Sequence, residues 1–143
     1  MSLFNVFNTA GSALNAQTIR LNTTASNLAN AESVNGDATK VYRARHPVFQ
    51  TMMQDADTDS NFDGESPSAG VRVLGVVESS APPMMRYEPD NPAANKDGYI
   101  YMSNVNSIEE MTNMISANRS FATNVEAINT ARDLLLKTIS MGH

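Results

Sequence analysis

The chain has 143 residues, a net charge of −5, a pI near 4.8, 6% aromatic residues, no tryptophan and no cysteine. That charge argues against a nucleic-acid footprint or an anionic-membrane surface, both of which need a basic cluster. The missing thiols rule out a disulfide framework and any Cys-based metal site, and the thin apolar stock predicts a small core helped by helix pairing or oligomer contacts.

The first 31 residues read as a helix. From Ser2 to Ala31 the only charged side chain is Arg20. Phe7, Ala10, Leu14, Gln17, Leu21, Thr24, Leu28 and Ala31 follow an unbroken 3,4,3,4 spacing, and Phe7, Leu14, Leu21 and Leu28 stand seven apart. This is a heptad seam that meets another helix. A helix of this length spans roughly 40 Å. It should end near Ser33, because Asn35-Gly36 is a turn signal. Its closing stretch "NTTASNLANAES" is unusually polar yet almost uncharged. Such a surface suits burial in a crowded assembly, provided each amide and hydroxyl finds a partner.

The middle changes character. "KVYRARHPVFQTM" and "GVRVLGVVES" read as extended runs, with Pro47 breaking any helix. "MMRYEP" and "GYIYMS" are shorter strand candidates, and Pro89–Pro92 and Asn95–Gly98 are turns. Residues 54–70 form an acidic, Ser/Asp/Gly-rich surface loop. In it Asp59, Asn61, Asp63 and Gly64 match the opening of a calcium loop, but Gly70 stands where a bidentate glutamate is needed. The favoured reading is an acidic loop with no tight calcium site.

The last segment reads as a second helix. Positions 111, 114, 118, 121, 125, 128, 132, 135 and 139 hold Met111, Met114, Asn118, Phe121, Val125, Ile128, Arg132, Leu135 and Ile139, a seam that is apolar at seven of nine places. Ser107 is the expected N-cap, with Glu110 at the capping-box position, and Gly142 the expected close. Expected overall is a mainly α chain with a small β region. Its terminal helices pair as an antiparallel coiled coil around a β-hairpin-containing middle. The expected divisions are 1–34, 35–104 and 105–143, with both helices sharing one core.

Catalytic constellations are missing from the sequence. His46 and His143 are the only histidines, so neither a zinc site nor a triad is expected, and no phosphate-binding glycine loop is present. Glu109 and Glu110 are neighbours on one helix and point about 100° apart, so they favour a solvated face or the helix N-terminus over paired acid–base work. No enzyme activity, cofactor or metal is expected.

Three separate stretches resemble one family. Gly11 to Gly36 resembles the N-terminal signature of bacterial flagellar axial proteins, with Ala25, Ser26, Asn27, Leu28, Ala29 and Asn30 standing on its Ala-Asn-Leu-Ala-Asn-like core. The continuation Asn30-Ala31-Glu32-Ser33-Val34 departs from the Thr-Pro-Gly-Tyr ending of hook and distal-rod members and looks like the proximal-rod type. Tyr87–Asn106 and Met111–Gly142 are similar to the later segments of that type; the acidic loop is longer and more charged than the family leads one to expect.

The resemblance implies a structural subunit of the basal-body rod, the drive shaft that crosses the periplasm. It implies export through the flagellar type III channel without a cleaved signal peptide, in keeping with an N-terminus that makes a poor Sec signal. It implies partners among other rod proteins and copies of itself, with the base of the rod near the membrane ring. No nucleic acid and no direct membrane insertion are expected. The assembly interface expected is Phe7, Leu14, Leu21, Ala25, Asn27, Leu28 and Asn30 on the first helix, and Met111, Met114, Phe121, Val125, Ile128, Leu135 and Ile139 on the second. Partial disorder of both helices in the isolated protein would follow from their incomplete seams. The competing reading is a soluble helical export adaptor or chaperone.

Overall fold

The computed structural model describes residues 3–53 and 69–141. The first helix, α1, spans Leu3–Ala29, and the last, α2, spans Ser107–Met141. Neither contains a proline, and serine and threonine, which otherwise compete with the helix for backbone groups, are absorbed by it. The hydroxyls of Thr18, Thr23, Thr112, Thr123 and Thr138 all donate to carbonyls four residues back. A helix rich in Ser and Thr thus presents fewer free polar groups than its sequence suggests.

The helices run antiparallel. The end of α1 meets the start of α2 at Asn27 and Glu110, and one turn or more away Arg20 donates to Asn113. On α1 the seam falls where its spacing placed it. Ala10 and Thr24 are buried, as is Ala31 in the turn just after the helix, and Phe7, Leu14, Gln17, Leu21 and Leu28 are half-buried. Ala16 and Asn27 are buried as well, because α1 also carries the long hairpin on an adjoining face.

On α2 the seam is half displaced. Met114, Phe121, Ile128 and Leu135 face inward as expected, but their companions are Glu110, Ala117, Asn124 and Ala131. The expected Met111, Asn118, Val125, Arg132 and Ile139 are exposed. The physical reason is close approach: Ala117 is completely buried and Ala131 nearly so, and small side chains let the two helices come together where bulky ones would hold them apart. Counting apolar residues alone selects the wrong neighbour row.

The start of α2 is also one residue off. Asn106, not Ser107, is the cap: its Oδ1 accepts from the backbone N–H groups of Ile108 and Glu109 at 3.1 and 3.4 Å. Glu110 does not close a capping box; its side chain turns inward to Asn27. Gly142 lies outside the described residues.

Between the helices lie two small sheets. Strands β1 (Val34–Asn35), β4 (Met84–Tyr87) and β5 (Tyr99–Met102) form an antiparallel sheet in the order β1-β5-β4, with Ile100 fully buried at its centre. Residues 88–98 fold back through two turns. Gly98 has φ +80°, a left-handed conformation that suits glycine, and an added Cβ would meet the Tyr87 ring at 2.9 Å. Tyr87 and Tyr99 pack edge to face at 5.1 Å.

The other sheet is a long hairpin of β2 (Arg45–Met53) and β3 (Ala69–Glu78). Pro47 sits within β2 without disrupting it, since a two-stranded ribbon leaves half its N–H groups unpaired. Val48 pairs with Gly75 and Phe49 with Val73, leaving Leu74 as a bulge that is 59% exposed. The hairpin is pinned to α1 where the Val71 amide donates to the Ser12 hydroxyl at 3.1 Å. Ala69 and Gly70, expected in the acidic loop, belong to β3; the rest of that loop, including Asp59, Asn61, Asp63 and Gly64, lies outside the described residues.

Candidate assembly interface

The polar stretch that closes α1 has a specific use. Asn27 is completely buried and makes four hydrogen bonds. Its Nδ2 donates to the Arg45 carbonyl at 2.8 Å and to Glu110 Oε1 at 2.9 Å. Its Oδ1 accepts from the Tyr42 hydroxyl and from the Arg45 amide, both at 2.9 Å. Two donors and two acceptor sites are all that an amide side chain possesses, so Asn27 is saturated. It locks α1, α2 and the first residue of β2 to one another. Because the Tyr42 proton is spent on Asn27, the Ser26 hydroxyl, 3.2 Å away, donates to the Tyr42 oxygen.

The other residues of the stretch continue the joint. Asn30 Nδ2 donates to the Ser26 carbonyl, and the Ser33 hydroxyl donates to the Asn30 carbonyl, each beside a backbone amide that the same carbonyl accepts, from Asn30 and Ser33. The Ser103 amide donates to the Ser33 carbonyl and carries the connection into β5. The Ala44 amide donates to Asn104 Oδ1, and Asn104 Nδ2 donates to the Ala81 carbonyl. Glu110 is buried at the N-terminal turn of α2, where the helix dipole favours a negative charge.

The interface residues expected from the sequence therefore divide into two groups. Phe7, Leu14, Leu21, Leu28, Met114, Phe121, Ile128 and Leu135 lie half-buried between α1 and its neighbours, and Asn27 and Asn30 serve the joint inside the molecule. Ala25 is exposed on α1. Met111, Val125 and Ile139 are exposed on α2.

Those last three are not isolated. Ile108, Met111, Ile115, Asn118, Ala122, Val125, Asn129, Arg132, Leu136 and Ile139 repeat the 3,4 spacing along the whole of α2, and every one is exposed. Ile108 is 78% exposed, and Ile115, Leu136 and Ile139 are each 56% exposed. Helical geometry sets this outer stripe roughly 100° round from the inner one. Seven of these ten places are apolar, an exposed patch of the kind that accompanies interaction sites. The shared phase of Ile108, Ile115 and Leu136 could have been found in the sequence by testing a second register for the same helix.

Among the described residues no group of three or more His, Asp or Glu side chains comes together as a metal site would require, and no helix is long and apolar enough to cross a membrane.

Comparison with known proteins defines the class first. Residues 7–36 match the family described as flagella basal body rod protein, and residues 96–141 match the flagellar basal body rod FlgEFG protein C-terminal family. These are the two helices with their adjoining turns and strands. Over 142 residues, 99% of each chain, the protein is 47% identical to the flagellar basal-body rod protein FlgC of Salmonella typhimurium. Identity is 46% to that of Escherichia coli O157:H7 and 45% to that of Yersinia enterocolitica, over the same span. The chain belongs to the FlgC family of flagellar basal-body rod proteins. No relative among these bears an adaptor or chaperone name, and that competing reading has no support.

Proposed function

We propose that this protein is a structural subunit of the flagellar proximal rod, polymerising through its terminal helices into the axial drive shaft. The observation that carries the reading is the outer stripe of α2, exposed along its length in the single molecule and apolar at seven of its ten places between Ile108 and Ile139. In a family of rod proteins, helices of neighbouring subunits are the natural cover for it, and a heptad period supports coiled-coil packing among them. The interior joint around Asn27 holds α1, α2 and β2 in one fixed arrangement, as a torque-bearing part requires. The terminal helices, 1–34 and 105–143, would form the assembling unit, and 35–104 the connecting body.

The partners proposed are other rod proteins and copies of this chain, with the base of the rod meeting the membrane ring. The route proposed is flagellar type III export to a periplasmic position, without a cleaved signal. Electron cryotomography of flagellar bases from cells lacking the protein tests the core of this reading. The expected image is a membrane ring without its rod. An intact rod would overturn the assignment.

A further inference from the structure

The outer stripe of α2 reads nearly the same in both directions. Pairing each member with the one equally far from the other end sets Ile108 against Ile139, Met111 against Leu136 and Ala122 against Val125. The same pairing sets Asn118 against Asn129, and its centre falls between Thr123 and Asn124. Two copies of α2 laid antiparallel about that centre therefore bring apolar side chains to apolar ones and an amide to an amide. An amide carries both donors and acceptors, so two of them satisfy each other across a seam and fix its register. Exposed apolar side chains gain by leaving water, which supplies the driving force.

The remaining pair, Ile115 and Arg132, is a mismatch, and the surface makes room for it. A hollow of about 330 Å³, lined by Thr112, Ile115, Ser116, Arg119 and Ser120, opens beside Ile115. The aliphatic stem of Arg132 from the second copy can lie there, while its guanidinium keeps Asp133 of its own chain, 3.2 Å away.

Charge selects the direction. Arg119 and Glu126 stand one position beyond Asn118 and Val125, on the same flank of the stripe. Both are exposed, and neither enters an ion pair among the described residues. In the antiparallel arrangement Arg119 of each copy lies beside Glu126 of the other, offset by about 3 Å along the axis. Symmetry makes that contact twice. A parallel pair in register would set Arg132 against Arg132. It would also turn Arg119 and Glu126 toward the flank of Met114, Phe121 and Ile128, which holds no charge. The inner stripe, which packs on α1, lies roughly 100° round the helix, so α1 stands beside the contact and not in it.

We propose that two copies of the unassembled protein pair through these stripes, α2 against α2 and antiparallel, as a twofold dimer. A twofold contact uses the same patch on both copies and closes on itself, so it does not propagate a shaft. The role of the dimer rests on the rod reading: it keeps the stripe covered until neighbours in the rod take its place. Ten side chains from each copy meet, against the roughly 20–30 of a stable interface, so the pair is weak and exchangeable.

Sedimentation equilibrium of the purified full chain tests this, at concentrations from about 1 µM to 1 mM. The wild type should pass reversibly from monomer to dimer and stop there. Arg119→Glu sets acid against acid at both edges, and Glu126→Arg sets base against base. Each variant alone should dimerise at least tenfold more weakly, with its helices intact by circular dichroism. An equal mixture of the two should dimerise to within threefold of the wild type, because every edge contact between unlike variants is attractive. A wild type that stays monomeric or grows beyond a dimer overturns the inference. So do single variants that dimerise as the wild type does, or a mixture no better than its parts. An intact rod in cells lacking the protein overturns the rod reading and the role of the dimer, while the dimer contact is judged on the purified protein alone.

Discussion

The two stripes of α2 differ in what they are made of and in what covers them. The inner stripe alternates Glu110, Ala117, Asn124 and Ala131 with Met114, Phe121, Ile128 and Leu135, and lies against the rest of the molecule. The outer stripe carries Ile108, Met111, Ile115, Val125, Leu136 and Ile139, is the more apolar of the two at its ends, and is exposed. A monomer that followed only the hydrophobic effect would bury the outer stripe first. The inner stripe is held instead by small residues that allow close approach and by a buried polar joint. On the function proposed, folding and assembly use separate surfaces of one helix, and substitutions should separate them.

The largest effect is expected at the joint. Asn27→Ala removes four hydrogen bonds and leaves Glu110 buried without its partner. Each stranded polar group costs about 1–3 kcal/mol, and the network sums to a loss of about 3–5 kcal/mol. Urea unfolding of the purified protein measures it. A loss below about 1 kcal/mol would mean that the joint does not hold the helices. Ala117→Leu follows. Its side chain is completely buried, and overpacking at such a site costs about 1–3 kcal/mol by the same measurement.

Ile115→Asp should do the reverse. The side chain is 56% exposed in the single molecule, so unfolding free energy should change by no more than about 0.5 kcal/mol. Rod formation and swimming should nevertheless be lost, with the protein still exported. Swimming at the wild-type rate would show that the outer stripe is not an assembly surface. Leu21→Asp or Leu28→Asp makes a less decisive comparison, because both leucines are half-buried against the molecule's own elements and fold and assembly would fail together.

The smallest effect belongs to the turn after β4, remote from both stripes. The Glu88 carboxyl accepts from Asn91 Nδ2 at 3.0 Å and pairs with Arg86, and these hold its pKa below the ordinary 4.5. A lowered carboxyl pKa contributes stability above the ordinary value, and that contribution is lost as pH falls through the lowered one. A carbon-detected NMR titration should therefore show Glu88 protonating at lower pH than an unpaired glutamate, with the shift reduced in Asn91→Ala, where the Arg86 pair remains. Titration of Glu88 at the ordinary value in the wild-type protein would remove the Asn91 contact from the account.

Much of the architecture was legible in the chain. The period of α1 placed Phe7, Leu14, Leu21 and Leu28 on its packed side, because nothing on that helix offers a rival row of large apolar residues. The strands were legible because valine, tyrosine and methionine runs stand between proline and glycine turns. The Asn106 cap was missed because Ser107 is an equally good capping residue one position on, and local chemistry does not choose between them.

The sequence by itself determined two long helices and a β middle between turns. These follow from local steric preference and periodicity, which each residue carries with it. Only the tertiary structure decided which row of α2 faces inward, and that Asn27 is spent inside the molecule on Arg45, Tyr42 and Glu110. Hydrophobicity is a property of one residue. Closeness of approach and the saturation of a buried amide are properties of residues 15 to 83 positions apart, and they exist only when the chain has folded.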